Sequence, residues 1–243
     1  MPTQLFLTAF LNQHFAGPVT QLLRALHVQP AYPEAPITNA FAMELLVALA
    51  LLAFFAVVRA SLSVESPGPV QHLAELTHEF VADQSDSIIG HGYERFMPYL
   101  VTLFLFLLLC NLLGLVPGFE APTANPVVPL GLALVTFLYY HYHGIRVNKG
   151  GYVKQFIGPV WWISPLMVIV EIVSHFARIL SLTVRLYANM YAGELLTLVF
   201  FSLIPIGLPL IFMGLHFGVA VIQAYVFMLL AMIYLSLATA TEH

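Results

Sequence analysis

The sequence predicts an all-α integral membrane protein with about five membrane helices, the last two forming a long, strongly tilted hairpin. Its 243 residues are 60% hydrophobic and only 8% charged. A soluble domain carries roughly 25% charged residues, which cover its surface. The mean hydropathy is +0.89, so we expect lipid to be the main solvent of the chain. One membrane domain, over residues 39–243, suits this length.

Apolar runs of suitable length give the expected spans. About 20 apolar residues cross the hydrocarbon core of a bilayer. Ala40 to Val58 is apolar except for Glu44, and residues 97–116 carry no charge. The expected spans are residues 40–58, 97–116 and 127–143, followed by two hairpin arms at 161–201 and 206–240.

Two polar segments lie outside these spans. Residues 1–38 contain prolines that break any long helix, so we expect an extramembrane N-terminal segment without one. Residues 61–92 are acidic and contain histidines, and we expect a helix lying at the membrane interface. Cys110 is the single cysteine and sits in an apolar run, which excludes disulfides within the chain.

The hairpin arms are too long to stand upright in lipid. At about 1.5 Å per residue each would exceed roughly 50 Å, against a hydrocarbon core of about 30 Å. They are therefore either steeply tilted or broken into pairs of shorter helices. We favour tilt, because the first arm has no internal Gly-Pro break after Pro165.

Basic residues predict the orientation of the chain. Cytoplasmic loops of membrane proteins carry an excess of lysine and arginine. With the N-terminus outside, Arg24 alone lies outside and the C-terminus lies in the cytoplasm. The loops on the inner side then hold the other basic residues outside the spans: Arg59, Arg95, Arg146, Lys149 and Lys154.

Two arginines lie deep in the first hairpin arm. A charge near the bilayer centre costs about 2.5–3.5 kcal/mol on insertion scales, so such residues usually face protein or water and serve a function. Arginine cannot lose its proton to avoid this cost. For Arg178 a structural ion pair with Glu171 remains an alternative; for Arg185 a functional role is the stronger interpretation.

Helix geometry sorts the polar groups of the first arm by face. Glu171, Arg178 and Arg185 are seven residues apart, so at about 100° per residue they share one face. His175 and Asn189 fall near the same face, at four-residue spacing from Glu171 and Arg185. The arm therefore presents a polar line within an apolar helix.

Further polar groups accompany this line. Glu194 is half a turn out of phase with Arg185 and points away from its face, while His216 and Gln223 share a stripe on the second arm. Carboxylates, imidazoles and amides along membrane helices can hold water and relay protons. Two other interpretations stay open: His175 and His216 as satisfied buried histidines, and Gln223 as a helix–helix contact.

One segment resembles the signature of subunit a of F-type ATP synthases. Residues 181–194 read SLTVRLYANMYAGE, where the family typically has S-L-x-x-R-L-F-G-N-M-x-A-G-[EH]. Other segments are similar in the same order along the chain. They are APITN at 35–39, NLLGLVP at 111–117, PTAN at 122–125, QAYVFM at 223–228 and YLS at 234–236.

The resemblance implies roles for the matched residues. Arg185 matches the arginine that faces the rotating ring of c subunits, and Gln223 matches the glutamine beside it. The other matched residues lie along the proton path on either side of that pair: Glu194 and His216 in the half-channel on the N-terminal side, Glu171 and Ser181 on the inner side, and Asn189 one turn past the arginine.

The chain departs from the family pattern at a few positions. Ala188 replaces a glycine, which loosens the closest backbone approach, and Asn125 replaces an acid at the presumed outer inlet. Glu34 and Glu44 are candidates to supply that missing charge. His175 has no fixed counterpart and is either an added relay or a buried histidine.

The function implied by the resemblance is that of a proton-translocating stator subunit with two offset half-channels, which load and unload the ring carboxylates. Its partners would be the c-ring, the b subunits of the peripheral stalk and the lipid bilayer, with no nucleic acid, cofactor or metal. The chain lacks the G-x-x-x-x-G-K-[ST] motif that cradles phosphates, so we expect no ATP site and a non-catalytic subunit. The absence of a targeting segment favours the plasma (inner) membrane of a bacterium, and H⁺ is favoured as the coupling ion.

Two other classes use buried charges or histidines. Ion-coupled secondary transporters often show two related halves, and no repeat is evident in this sequence. A haem-bearing electron carrier would need His175 and His216 as ligands on facing helices. A proton-translocating stator subunit accounts for more of the polar residues than either.

Overall fold

The computed structural model describes residues 4–29, 32–116, 118–149, 152, 164–203 and 207–240. The predicted all-α class is confirmed, since the elements in these ranges are helices only. Short 3₁₀ helices at Tyr93–Phe96 and Pro122–Ala124 precede α4 and α5. The α-helices are α1 (Phe6–Ala25), α2 (Asn39–Ala60), α3 (Pro69–Ile89), α4 (Met97–Leu113), α5 (Val127–Asn148), α6 (Ser164–Leu203) and α7 (Leu208–Thr239).

Four helical segments of the described chain are long and apolar enough to cross a membrane: Asn39–Ala60, Tyr93–Leu113, Ser164–Leu203 and Pro209–Thr239. Helix α5, expected as another span, has 22 residues and is long enough at about 1.5 Å per residue. Its second half holds the run Tyr-Tyr-His-Tyr-His at residues 139–143, which lowers its hydropathy. A membrane-spanning role for α5 therefore stays a prediction.

The N-terminal segment differs from expectation. A 20-residue helix, α1, runs through Pro18, so the prediction that prolines exclude a long helix there is wrong. An interior proline costs about 3 kcal/mol in lost hydrogen bonding and steric clash. Contacts to the following loop offset this cost, because Asn12 exchanges two 3.0 Å hydrogen bonds with the backbone of Ile37 and the Thr20 hydroxyl donates to Pro33.

The last two helices form the predicted long hairpin. Helix α6 has 40 residues and α7 has 32, and each is continuous, which excludes the alternative of arms broken into pairs. Both exceed the roughly 30 Å hydrocarbon core at about 1.5 Å per residue. Predicted arm residues 161–163 and 204–206 lie outside the described residues.

Helix α7 is the centre of the bundle. Ala220, Ala224 and Ala231 are fully buried and lie along one side of it. Small residues let membrane helices approach closely and gain packing contacts. Helices α3, α4, α5 and α6 pack around this core, with Val81 from α3 and Leu107 from α4 fully buried in it.

Helix α3 confirms the helix expected between residues 61 and 92. It packs against the bundle, because the Tyr225 hydroxyl on α7 donates a 2.9 Å hydrogen bond to Gln84 and Ser85 is fully buried beside Met232. Its position at the membrane interface remains a prediction.

Helix α6 leaves one face uncovered. Its buried residues form a narrow stripe through Leu182, Leu186 and Met190, which packs against the bundle. Many of its other large apolar side chains are exposed, among them Val184 and Leu180. An apolar face of this length in a membrane helix contacts either lipid or another protein chain.

Candidate functional site

Arg185 lies on the uncovered side of α6. Its Nη2 donates a 3.0 Å hydrogen bond to the Ser181 hydroxyl, one turn earlier, and Ser181 is exposed. Ala188, three residues later, is exposed as well, whereas Leu186 is fully buried on the other side of the helix. Arg185 is itself partly exposed, so its side chain lies at a surface that another chain could contact.

Asn189 joins this surface to α7. Its Nδ2 donates a 2.9 Å hydrogen bond to Oε1 of Gln223, which is only 5% exposed. Because Asn189 is one turn past Arg185, the structure brings together the arginine, serine, asparagine and glutamine that the sequence singled out. The bond also fixes the register between α6 and α7 at this level.

His216 is packed against the backbone of α6. It is 3% exposed, and a Cβ added at Gly193 would lie 2.8 Å from its Cδ2 and 3.0 Å from Cγ and Nε2. Glycine at position 193 is therefore what allows the ring to sit so close to the helix. Nε2 has no hydrogen-bond partner among the described residues. The ring and Asn189 both line a cavity of about 170 Å³, the Asn189 cavity.

Glu194 points away from the arginine face and towards the loop between α4 and α5. Its Oε1 accepts a 2.7 Å hydrogen bond from the backbone N–H of Ala121. A Cβ at Gly114 would lie 2.7 Å from the same oxygen, so only glycine leaves room for the carboxylate. Helix α4 ends at Leu113 rather than at the expected residue 116, and Gly114, directly after it, is where the chain passes beside Glu194.

A cavity of about 390 Å³, the Glu194 cavity, lies at this end of α6. Glu194, His216, Thr197 and Phe119 are among the residues that line it. His216 borders both this cavity and the Asn189 cavity. A single buried imidazole thus stands between the space around Glu194 and the space beside Asn189.

Two motif residues hold the loop in place. Asn111 on α4 is fully buried and donates a 3.1 Å hydrogen bond to the carbonyl of Ala220. It accepts a 2.7 Å hydrogen bond from the Thr123 hydroxyl. Both residues belong to segments that resemble the family pattern, and their contacts position the loop that binds Glu194.

Glu120 is a site residue that the sequence analysis missed. It lines the Glu194 cavity, and both of its carboxylate oxygens lie 3.3 Å from Nδ2 of Asn39. Asn125, which replaces the family's acid, instead accepts a 3.1 Å hydrogen bond from the N–H of Val127, the first residue of α5. Neither Glu34 nor Glu44 is among the described residues lining this cavity. The only signal for Glu120 was its place just before the P-T-A motif.

A second polar group lies near the other end of α6. Oε1 of Glu171 is 3.3 Å from Nε2 of His175 and 4.0 Å from Nη2 of Arg178. The Arg178 guanidinium also lies over the ring of Tyr234, 5.2 Å from its centroid. These residues line a cavity of about 200 Å³, the Glu171 cavity. The structure therefore contains the ion pair between Arg178 and Glu171 that the sequence left open, with a nitrogen–oxygen distance of 4.0 Å.

Arg185 separates the two polar regions along the helix. At about 1.5 Å per residue, Glu171 and Glu194 are about 35 Å apart on α6, close to the thickness of a bilayer core. Arg185 lies between them. Among the described residues, no cluster of three or more His, Cys, Asp or Glu side chains is placed to hold a metal ion.

Comparison with known proteins identifies the family. Residues 41–236 match the family described as ATP synthase A chain. This chain belongs to the ATP synthase A chain family. The match covers α2 to α7, apart from the ends of α2 and α7, and includes the residues that line the Asn189 cavity. It does not favour the secondary-transporter alternative.

Several relatives resemble the chain over nearly its whole length. ATP synthase subunit a of Koribacter versatilis is 58% identical, over 100% of both chains. ATP synthase subunit a of Solibacter usitatus is 45% identical, over 96% of this chain and 99% of its own. The subunit of Geotalea uraniireducens is 39% identical, over 88% and 91%. With its long apolar helices, this member of the ATP synthase A chain family is a multi-pass membrane protein.

Proposed function

We propose that this chain is the proton-translocating stator subunit of a bacterial F-type ATP synthase. Two offset half-channels in it would load and unload carboxylates on a ring of c subunits and so drive rotation. The observation that carries the proposal is the position of Arg185, on an uncovered face of α6 and between the Glu171 cavity and the Asn189 cavity.

The Glu194 cavity is the inlet in this proposal. A proton passes from Glu194 to His216, whose ring borders the next cavity, and then to the space beside Asn189. There it neutralises a ring carboxylate. A protonated carboxyl is far cheaper to bury in lipid than an ion, so the ring can turn.

The Glu171 cavity is the outlet. After nearly a full rotation the ring carboxyl returns on the inner side and loses its proton near Ser181 and Glu171. The positive charge of Arg185 favours the ionised carboxylate at that point. Ser181 orients the guanidinium through the 3.0 Å hydrogen bond from Nη2.

Arg185 is also the barrier against leakage. Each proton that crosses 100 mV releases about 2.3 kcal/mol, which is useful only if the proton cannot bypass the ring. A permanently cationic guanidinium between the cavities repels protons and cannot relay one. Lysine would keep the charge but lose the planar fork and the fixed protonation.

The partners and orientation follow from the same proposal. The c-ring covers the exposed face at Arg185 and Ala188, and b subunits of the peripheral stalk hold the chain still within the bilayer. The membrane domain, residues 39–243, lies in the bacterial plasma membrane with the N-terminus outside, as the basic loops indicate. Glu120 supplies negative charge at the inlet, where it raises the local proton concentration.

The test uses the reconstituted ATP synthase complex carrying this chain. We expect Arg185→Ala and Arg185→Lys to lose nearly all proton-driven ATP synthesis while the complex still assembles. Arg146→Ala is the matched control, because this arginine lies in the last turn of α5, and it should retain synthesis. Normal synthesis in the Arg185 variants would reject the proposed function.

A further inference from the structure

Two histidines and two tyrosines form a connected cluster next to the Glu171 cavity. His175 on α6 has its Nδ1 3.0 Å from the hydroxyl of Tyr140 on α5. His141, the next residue on α5, has its Nδ1 3.0 Å from the hydroxyl of Tyr152. The two imidazole rings are in an edge-to-face contact, with centroids 4.7 Å apart and planes at 84°.

The cluster continues the polar line from Glu171. Oε1 of Glu171 is 3.3 Å from Nε2 of His175, so the carboxylate, both imidazoles and Tyr152 form one series of close contacts. Tyr140, Tyr152 and His175 line the Glu171 cavity, whose volume of about 200 Å³ is large enough for water. The series runs from α6 towards the C-terminal end of α5.

A purely structural role for the cluster explains these contacts less well than a role in proton transfer. His141 does pack against Phe137, with centroids 4.1 Å apart, so aromatic packing contributes to the position of the ring. Packing alone, however, needs neither the phenol hydroxyls nor the ring nitrogens. Polar groups within membrane bundles are costly and usually mark ion or proton pathways.

We propose that His175 and His141 form a proton-release relay at the outlet, with Tyr140 and Tyr152 orienting the two rings. This proposal rests on the proposed function and adds to it the residues that carry the proton away from Glu171. His175 accepts a proton from the carboxyl or from cavity water at Nε2, the nitrogen nearest Glu171, and passes a proton to His141 through water. His141 then releases it towards the inner side.

The step needs no further reactant. Each imidazole binds one proton at one nitrogen and releases one from the ring, so both rings return to their neutral state. The hydroxyl beside each Nδ1 can donate or accept a hydrogen bond, which lets the ring change its tautomer without losing that contact.

The experiment measures proton flux through the membrane sector of the complex in vesicles, together with coupled ATP synthesis. His141→Gln keeps the size and hydrogen-bonding capacity of the side chain but cannot be protonated in this pH range. We expect flux to fall about tenfold, since a positioned acid–base group typically contributes 10²-fold or more and cavity water replaces part of it. Tyr152→Phe, which removes only the hydroxyl that orients His141, should cause a smaller loss.

His143→Gln is the matched control. His143 lies on the same helix two residues away and packs on Phe96 and Tyr139 instead of the cluster. It should keep the flux of the parent protein. In His141→Ala, imidazole added on the inner side should restore flux, which a purely structural role would not permit.

Several outcomes would overturn the relay. It is rejected if His141→Gln conducts within twofold of His143→Gln in assembled complexes, or if imidazole restores nothing in His141→Ala. The proposed function is judged separately by Arg185→Ala. Loss of synthesis in Arg185→Ala with full flux in His141→Gln would reject the relay alone.

Discussion

The contact between Gly193 and His216 allows a quantitative test of the inlet. A methyl group at position 193 would lie 2.8–3.0 Å from three atoms of the ring, whereas carbon atoms in contact are normally about 3.5–4.0 Å apart. In Gly193→Ala the ring must therefore move by about 0.5–1 Å. It is 3% exposed, so the movement disturbs its packing.

The expected effect on stability is modest and the effect on proton transfer is large. Overpacking lowers the free energy of unfolding by about 1–3 kcal/mol, while replacing a glycine within a helix by alanine raises it by about 1 kcal/mol. A misplacement of about 1 Å can cost 10²-fold in a reaction that depends on geometry. We expect Gly193→Ala to assemble with a small loss of thermal stability and to pump protons at least about tenfold more slowly.

ATP-driven acidification of vesicles and thermal unfolding in detergent measure the two effects. Gly131→Ala is the control, because a Cβ at this helical glycine meets no atom within 4 Å. It should pump normally and gain slight stability. If Gly193→Ala pumps as fast as Gly131→Ala, the position of the His216 ring does not govern the inlet and the reasoning is wrong.

Two further predictions concern the loop beside Glu194. A sphere of the Glu194 cavity's volume is about 9 Å wide, and one charge across that distance in water is worth about 0.5 kcal/mol. Glu120→Gln should therefore slow proton uptake about twofold when the proton concentration on the outer side is low. Glu34→Gln, the control, should leave uptake unchanged. If the effect of Glu120→Gln stays the same in about 1 M salt, which screens surface charges, the electrostatic explanation is contradicted. Thr123→Val removes the hydroxyl that donates to the buried Asn111 oxygen and should lower the free energy of unfolding by about 1–3 kcal/mol. The loss is measured as a lower melting temperature. An unchanged melting temperature would show that this hydrogen bond contributes nothing to stability.

Much of the fold could be predicted from hydropathy and helix length. The long hairpin follows from two apolar segments that exceed the bilayer thickness, and α6 and α7 bear this out. Helix α1 could not be predicted in this way, because its interior Pro18 is compensated by hydrogen bonds to residues 33 and 37 that a local pattern does not contain.

The site could be predicted only where residues share a helix face or a recognisable motif. The seven-residue spacing placed Arg178 and Arg185 on the face of Glu171. Glu120 lies in a loop, where no periodicity predicts which cavity a side chain lines. His141 was missed for another reason. Its position beside His175 depends on how α5 and α6 pack, and no pattern within a single sequence indicates which residues of two helices are in contact.

The central claim is that the Arg185 face of α6 contacts a rotating ring. We would attach a benzophenone maleimide to Ala188→Cys, on the exposed side next to the arginine, after replacing the buried Cys110 by alanine. Val135→Cys, at a position on α5 that is 54% exposed, is the control. Our account predicts a light-dependent cross-link from position 188 to the small ring subunit and none from position 135. Absence of that cross-link in an assembled, active complex, or equal cross-linking from both positions, would contradict it.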